Sequence, residues 1–273
     1  MNTKNKSGVI FSNGMQHRAR KRFGQNFLHD RGIIERIIHC INPRAGDHLL
    51  EIGPGQGALT EYLIESEARL DCVELDRDLA SFLTTRYSRN PGFRLYQQDI
   101  LKFDLGTLDA ADHGLRVIGN LPYNISTPVL FYLLKSYELI KDMTFMLQLE
   151  VVQRLSAQVG NKNYGRLGLM LQYFCKVEHL FDVPASAFSP PPKVSSAIVR
   201  LTPHSNFPVQ ARNIENLQIV IRTAFNQRRK TLKNSLKAII SEQSLKKLPL
   251  DITLRPENLS LADYVMISDS LPG

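Results

Sequence analysis

At 273 residues, 43% hydrophobic and 22% charged, the chain has the composition of an ordinary globular protein, long enough for one large domain and a smaller one. Its 34 Lys and Arg against 26 Asp and Glu leave a formal charge of +8, which points to a polyanionic partner. No run of about 18 apolar residues occurs, which excludes a membrane-spanning helix. Cys40, Cys72 and Cys175 are odd in number, far apart and set in apolar runs, so they read as reduced core thiols, and no metal is expected.

The N-terminus, Met1 to Gly14, is polar and lacks the apolar core of a signal peptide, so a reducing cytoplasm is the expected location. Residues 1–22 read as a flexible basic arm ending in Arg18-Ala19-Arg20-Lys21-Arg22, with Arg20, Lys21 and Arg22 as candidate RNA contacts. Gln25-Asn26-Phe27-Leu28 sets two amides among large apolar groups and suggests a folded loop. A helix is expected from Asp30 to about Ile41, with Ile33, Ile34, Ile37, Ile38 and Ile41 on one face.

His48 to Ile52 reads as a strand, Gly53-Pro54-Gly55-Gln56-Gly57 as a tight turn, and the following residues as a helix to about Ser66. Glycines at such a turn let the backbone approach a ligand closely, with the helix N-terminus facing it. The Glu51-x-Gly-x-Gly-x-Gly spacing differs from the dinucleotide fingerprint and suits a ligand with an amino-acid moiety. A second strand from Arg69 ends in carboxylates about 20 residues after the first glycine, where a carboxylate meets ribose hydroxyls. Glu74 is assigned that role, because Asp76 has the place of an N-cap for a helix from Arg77 to about Tyr87. A third strand, Phe93 to Tyr96, leads to Asp99, placed to accept a bond from an adenine amine, and to Ile100, placed to pack on its ring.

A fourth strand, Leu115 to Gly119, delivers Asn120-Leu121-Pro122-Tyr123. The exocyclic nitrogen of adenine is a poor nucleophile, since its lone pair is delocalised into the ring. The Asn120 side-chain oxygen and the Leu121 carbonyl can accept its two N–H bonds and localise that pair, and Tyr123 can stack on the base. Ser126 or Thr127 is expected to cap the next helix. A fifth strand follows at Met143 to Gln148, then helical stretches at 150–155 and 167–172. Two late strands, Tyr173 to Val183 and Val194 to Leu201, flank Phe188-Ser189-Pro190-Pro191-Pro192-Lys193. Three prolines freeze that loop, and Phe188 is expected as a second stacking face opposite Tyr123, its competitor being a phenylalanine buried in the core. From about Ser205 only helical patterns remain, at Ile214–Phe225, Lys230–Ser241 and Leu261–Ser268. They carry Arg222, Arg228, Arg229, Lys230, Lys233 and Lys237, a cluster dense enough to be occupied by RNA.

These segments together resemble the KsgA/RsmA-type ribosomal RNA adenine N6-dimethyltransferases, from about Arg20 to Met266. The resemblance rests on Gln25-Asn26-Phe27-Leu28, Glu51-Ile52-Gly53-Pro54-Gly55, Glu74-Leu75-Asp76, Asn120-Leu121-Pro122-Tyr123, the Phe188 to Val194 segment and Phe225-Asn226-Gln227-Arg228-Arg229-Lys230. It implies a seven-stranded Rossmann-like class I methyltransferase domain at residues 23–204 and a helical RNA-facing domain at 205–273. It also implies transfer of methyl groups from S-adenosylmethionine to two adjacent adenosines in the 3′-terminal hairpin loop of 16S rRNA, and a late checkpoint role in small-subunit assembly. By the same resemblance Asn26, Leu28, Gly53, Glu74, Asp99 and Asn120 would contact the cofactor or its immediate shell. The chain departs from the family pattern at Gln56, Gly57 and Leu149. Two rivals are the large-subunit methyltransferase of the macrolide-resistance type, disfavoured by the helical tail, and a non-enzymatic assembly factor, disfavoured by the intact ligand groups. A DNA adenine methyltransferase is a weaker alternative.

Overall fold

The computed structural model describes residues 25–110 and 114–272, and the backbone of a short antiparallel pairing of Val9–Ile10 with Gln16–His17. The rest of the expected arm, with Arg20, Lys21 and Arg22, lies outside the described residues. The chain divides into two compact units: residues 1–149 with 179–200, and residues 150–178 with 201–273. Grouping 150–178 with the C-terminal helices differs from the single boundary expected after residue 204.

The first unit opens with β1 (Phe27–Leu28) and α1 (Arg31–Ile41), then β2 (His48–Ile52), α2 (Thr60–Glu65), β3 (Arg69–Glu74), α3 (Arg77–Tyr87) and β4 (Phe93–Gln97). After these come β5 (Leu115–Asn120), α4 (Ser126–Leu133) and β6 (Ile140–Gln148). Next in the chain are α5 (Leu149–Leu155), α6 (Arg166–Phe174), β7 (Cys175–Val183), β8 (Phe188–Ser189) and β9 (Ser196–Pro203). Seven strands form one sheet in the order β4-β3-β2-β5-β6-β9-β7. From β2 the chain steps outward through β3 and β4, then returns to β5 on the other side of β2 and continues to β6; β4, β3, β2, β5 and β6 run parallel. The reversal between β2 and β5 is a topological switch point, where such sheets bind ligands beyond their carboxyl ends. β5 lies so close to β2 that a Cβ on Gly119 would stand 2.7 Å from the Ile52 carbonyl oxygen.

Local chemistry sets the helix ends. Asp30 caps α1 by accepting from the Ile33 N–H, and Ile34, Ile37 and Ile41 bury one face of it. Asp76 caps α3 through the Asp78 N–H, as expected. The expected cap at Ser126 or Thr127 is not formed: α4 begins at Ser126 itself, and no side chain caps it. The core packs α1 against Leu49, Leu70, Cys72, Ile118 and Phe188. All three cysteines are free thiols, Cys72 and Cys175 fully enclosed.

In the second unit, α7 (Ile214–Asn226) is capped by Asn213 and α10 (Leu261–Asp269) by a Ser260–Asp263 capping box. Phe225 stands 6.0 Å from the Tyr264 ring and 6.3 Å from Tyr164, and both tyrosine hydroxyls donate to carbonyls, of Pro256 and Leu259 respectively. The expected helix Lys230–Ser241 is a single turn, α8 (Leu232–Ser235), followed by turns and α9 (Glu242–Leu245). Asn234 bonds to the Thr231 hydroxyl and Ser235 to the Leu232 carbonyl, local bonds that compete with a continuing helical ladder.

Candidate active site

A cavity of about 360 Å³ opens beyond the carboxyl ends of β2, β3, β4 and β5, walled on another side by residues 25–28. It brings together Asn26, Leu28, Gly53, Glu74, Asp99, Asn120, Leu121 and Tyr123, all the described cofactor and catalytic candidates except Phe188. Gly53 has φ of +66°, a left-handed conformation that any other residue adopts at a cost, and a Cβ there would meet open space. The backbone at the turn is thus bare toward the cavity.

The polar wall combines three carboxylates, Glu51, Glu74 and Asp99, with side-chain amides. The Glu74 Oε2 accepts from the Gly55 N–H at 3.1 Å and its Oε1 from the Asp76 N–H at 2.8 Å, so one side chain ties the glycine turn to the end of β3. Burial raises its pKa, against the lowering effect of those two bonds. Glu51 is enclosed beneath the turn, its Oε2 accepting from the Thr60 hydroxyl at 2.7 Å, and burial pushes its pKa up to about 7. Asp99 caps a short 3₁₀ turn through the Leu101 N–H at 3.0 Å while facing the cavity. The set of hydrogen-bond acceptors, the bare glycine backbone and the apolar Leu75, Leu79 and Ile100 fit a nucleoside carrying an amino-acid moiety. Leu75, half exposed at the rim, was not singled out from the sequence; its signal was an apolar residue between two strand-end carboxylates.

At the end of β5 the tetrad is held from several directions. The Asn120 Nδ2 donates to the Asn26 carbonyl at 3.2 Å, which fixes the amide's orientation and leaves its oxygen as the acceptor. The Leu121 N–H donates to the Met146 carbonyl at 3.3 Å, and the Pro122 carbonyl accepts from both the Ile125 and Ser126 N–H. Tyr123 lines the cavity, and its hydroxyl lies 2.7 Å from the Ser196 Oγ. Burial raises the Tyr123 pKa, partly offset by the Ser196 bond, so the phenol is neutral at neutral pH.

Phe188 corrects the expected stacking pair. It is only 2% exposed, pairs with Leu28 in the antiparallel β1–β8 ribbon, and packs in the core with Ile34, Val183 and Ala187. Pairing to β1 turns the ring into the apolar interior, and the competing core placement holds. Far from this cavity in sequence, Arg222, Arg229, Lys230 and Lys237 are exposed in the second unit, whereas the Arg228 Nε is tied to the Glu257 Oε2 at 3.2 Å and Lys233 lies 4.0 Å from Glu242.

Residues 16–272 match the family model described as ribosomal RNA adenine dimethylase. The chain is 56% identical to the ribosomal RNA small subunit methyltransferase A of Pseudomonas fluorescens over 256 residues, 94% of each chain. It is similar in structure to a dimethyladenosine transferase from Plasmodium falciparum, with a TM-score of 0.73 at 27% identity, covering 88% of this chain and 94% of the other. The 23S rRNA methyltransferase ErmE shares the fold, with a TM-score of 0.69 at 24% identity, covering 90% and 99%. The match over nearly the whole chain, on a class I methyltransferase sheet whose switch-point cavity gathers the motif residues, shows that this protein belongs to the ribosomal RNA adenine dimethylase family.

Proposed function

We propose that this protein dimethylates N6 of two adjacent adenosines in the 3′-terminal hairpin loop of 16S rRNA, acting on the small ribosomal subunit in the cytoplasm. Its family membership makes it an S-adenosylmethionine-dependent rRNA adenine dimethyltransferase; the particular rRNA site and the residue roles are our reading. Relatives at 56% identity bear the small-subunit name, whereas the likeness to the 23S enzyme is at 24% and speaks to fold.

The single observation that carries the catalytic reading is the bond from the Asn120 Nδ2 to the Asn26 carbonyl, which presents the Asn120 oxygen as an acceptor at the cavity. That oxygen and the Leu121 carbonyl take the two N–H bonds of the target amine and draw its lone pair out of the ring. Tyr123 stacks on the extruded base, at about 1–3 kcal/mol per stacked base. An exposed loop keeps the cost of extrusion to a few kcal/mol. Glu74 and Asp99 hold the cofactor's ribose and adenine, with Gly53 and its neighbours against the amino-acid end. When bound, S-adenosylmethionine supplies an electrophilic methyl group. The chain contributes alignment of the amine, which provides much of the acceleration without a strong base. Arg222, Arg229 and Lys230 take rRNA phosphates, with Arg228 held to Glu257 as part of the same surface.

The deciding experiment measures methyl transfer from labelled S-adenosylmethionine to unmodified small subunits, to large subunits and to naked rRNA. Incorporation confined to two adjacent adenosines of the small subunit is expected, and labelling of the large subunit alone would overturn the proposal.

A further inference from the structure

We infer that Ser196 is a positioning residue for the reaction: its hydroxyl holds the far end of the Tyr123 ring and thereby sets the plane on which the target adenine stacks. The inference rests on the reading of Tyr123 as the stacking face. Ser196 is 0% exposed, so it reaches no substrate and can act only through what it touches. Its Oγ lies 2.7 Å from the Tyr123 hydroxyl, and each residue is anchored on its own side. The backbone leading into Tyr123 is fixed at the Leu121 N–H and the Pro122 carbonyl, and the Tyr123 carbonyl accepts from the Ser126 hydroxyl at 3.2 Å. On the other side, the Ser195 carbonyl accepts from the Leu149 N–H at 3.0 Å, and Ser196 opens β9 of the main sheet.

With its backbone pinned, a tyrosine retains two side-chain torsions, and a bond at the para oxygen removes the remaining freedom of the ring. The ring becomes a strut from the tetrad to β9. Side chains that carry chemistry need such support to hold their geometry within a fraction of an ångström. Ser196 itself does not line the cavity that Glu74 and Asp99 face, and it reaches that cavity only through the Tyr123 ring.

A double-mutant cycle on unmodified small subunits tests this, with turnover and S-adenosylmethionine affinity measured for Ser196→Ala, Tyr123→Phe and both together. Each single change removes one hydrogen bond and should lower kcat about three- to tenfold while cofactor affinity stays at the wild-type value. The double variant should be no worse than the poorer single, because the second change removes a bond already gone. Factors that multiply, a wild-type kcat in Ser196→Ala, or cofactor affinity falling in step with kcat would each overturn the inference. Tyr123→Phe removes only the oxygen, so the cycle stays readable from that side even where Ser196→Ala lowers the thermal midpoint. Asn120→Ala, measured in parallel, separates the layers. Lost activity there with multiplying factors sinks the strut alone, whereas full activity there removes the adenine-binding reading and the strut with it.

Discussion

The two ends of the central sheet treat buried charge in opposite ways. At the amino end, Arg116 on β5 is enclosed yet fully partnered: its Nε donates to Asp142 at 3.0 Å, its Nη1 to Asp47 at 2.8 Å and its Nη2 to the Ile41 carbonyl at 2.7 Å. Nearby, the enclosed Asp71 takes the His48 ring nitrogen at 2.6 Å and Arg69 at 3.2 Å. At the carboxyl end, Glu51 and Glu74 are enclosed with neutral donors only, a hydroxyl, a thiol and backbone N–H groups. Burial tends to raise the Asp47 pKa, but the bonds from Arg116 and the Arg44 N–H, with the charges of Arg116 and Lys141, together outweigh it and the net shift is downward, whereas Glu51 and Glu74 are shifted up. One end sets its buried charges against opposite charges; the other sets its buried carboxylates against neutral donors only, beside the cavity.

The sharpest way to break this contrast is Arg116→Ala. Stripping one partner from a buried ion network leaves uncompensated charge and should cost about 3–5 kcal/mol of folding stability. Denaturant unfolding measures it, and a loss near zero would show the amino end to be less settled than its geometry says. Asn120→Ala should do the reverse, lowering turnover by about 10²–10³ with the unfolding midpoint unchanged. Kinetics on small subunits and thermal unfolding of the same sample report both. Glu74→Ala should weaken S-adenosylmethionine binding by about 1–3 kcal/mol in calorimetry; unchanged affinity in a folded variant removes Glu74 from the site.

Much of the carboxyl end was legible in the sequence because its signals are local. A glycine turn, strand-end carboxylates and an Asn-Leu-Pro-Tyr tetrad each declare themselves within a few residues, and Asp76 was separable from Glu74 because an N-cap has its own position before a helix. Phe188 was not separable, since its burial is decided by pairing with Leu28 from the far end of the chain. Ser196 was invisible for the same reason: a serine in an apolar strand gives no sign of the tyrosine it meets. Residues 150–178 read as a continuation of the first domain, because chain order alone does not tell which core a helix joins.

Two smaller effects refine the picture. In the second unit, neutralising Arg222, Arg229 and Lys230 should reduce the slope of log affinity for rRNA against log salt by about 0.7–0.9 per lost phosphate contact. Neutralising Arg228 adds less, since Glu257 already holds it. Filter binding across a salt series separates the four, and an unchanged slope in the triple variant would mean a merely solvated face. The two sheet ends should also titrate with opposite sign. Folded Glu51 keeps its proton up to about 7 where the unfolded chain loses it near 4.5, so its contribution to stability is complete below that lower value and falls as pH rises toward 7. Asp47, shifted below its ordinary 3.8, contributes stability that is present above that value and lost as pH falls through its lower folded one. Glu51→Gln should flatten the unfolding midpoint between about 4.5 and 7, and Asp47→Asn should flatten it on the acid side. A Glu51→Gln profile that follows the wild type through that window would show the carboxyl titrating normally.

Gly119 gives the site a gauge. With the position of its missing Cβ 2.7 Å from the Ile52 carbonyl oxygen, the strand carrying Asn120 lies against β2, which leads to Gly53, at a spacing that admits only glycine there without a shift. If Asn120 meets the amine and the glycine turn meets the methyl donor, as proposed, this close main-chain approach helps to set their separation. A methyl added at position 119 would force the main chain of one of the two strands to shift.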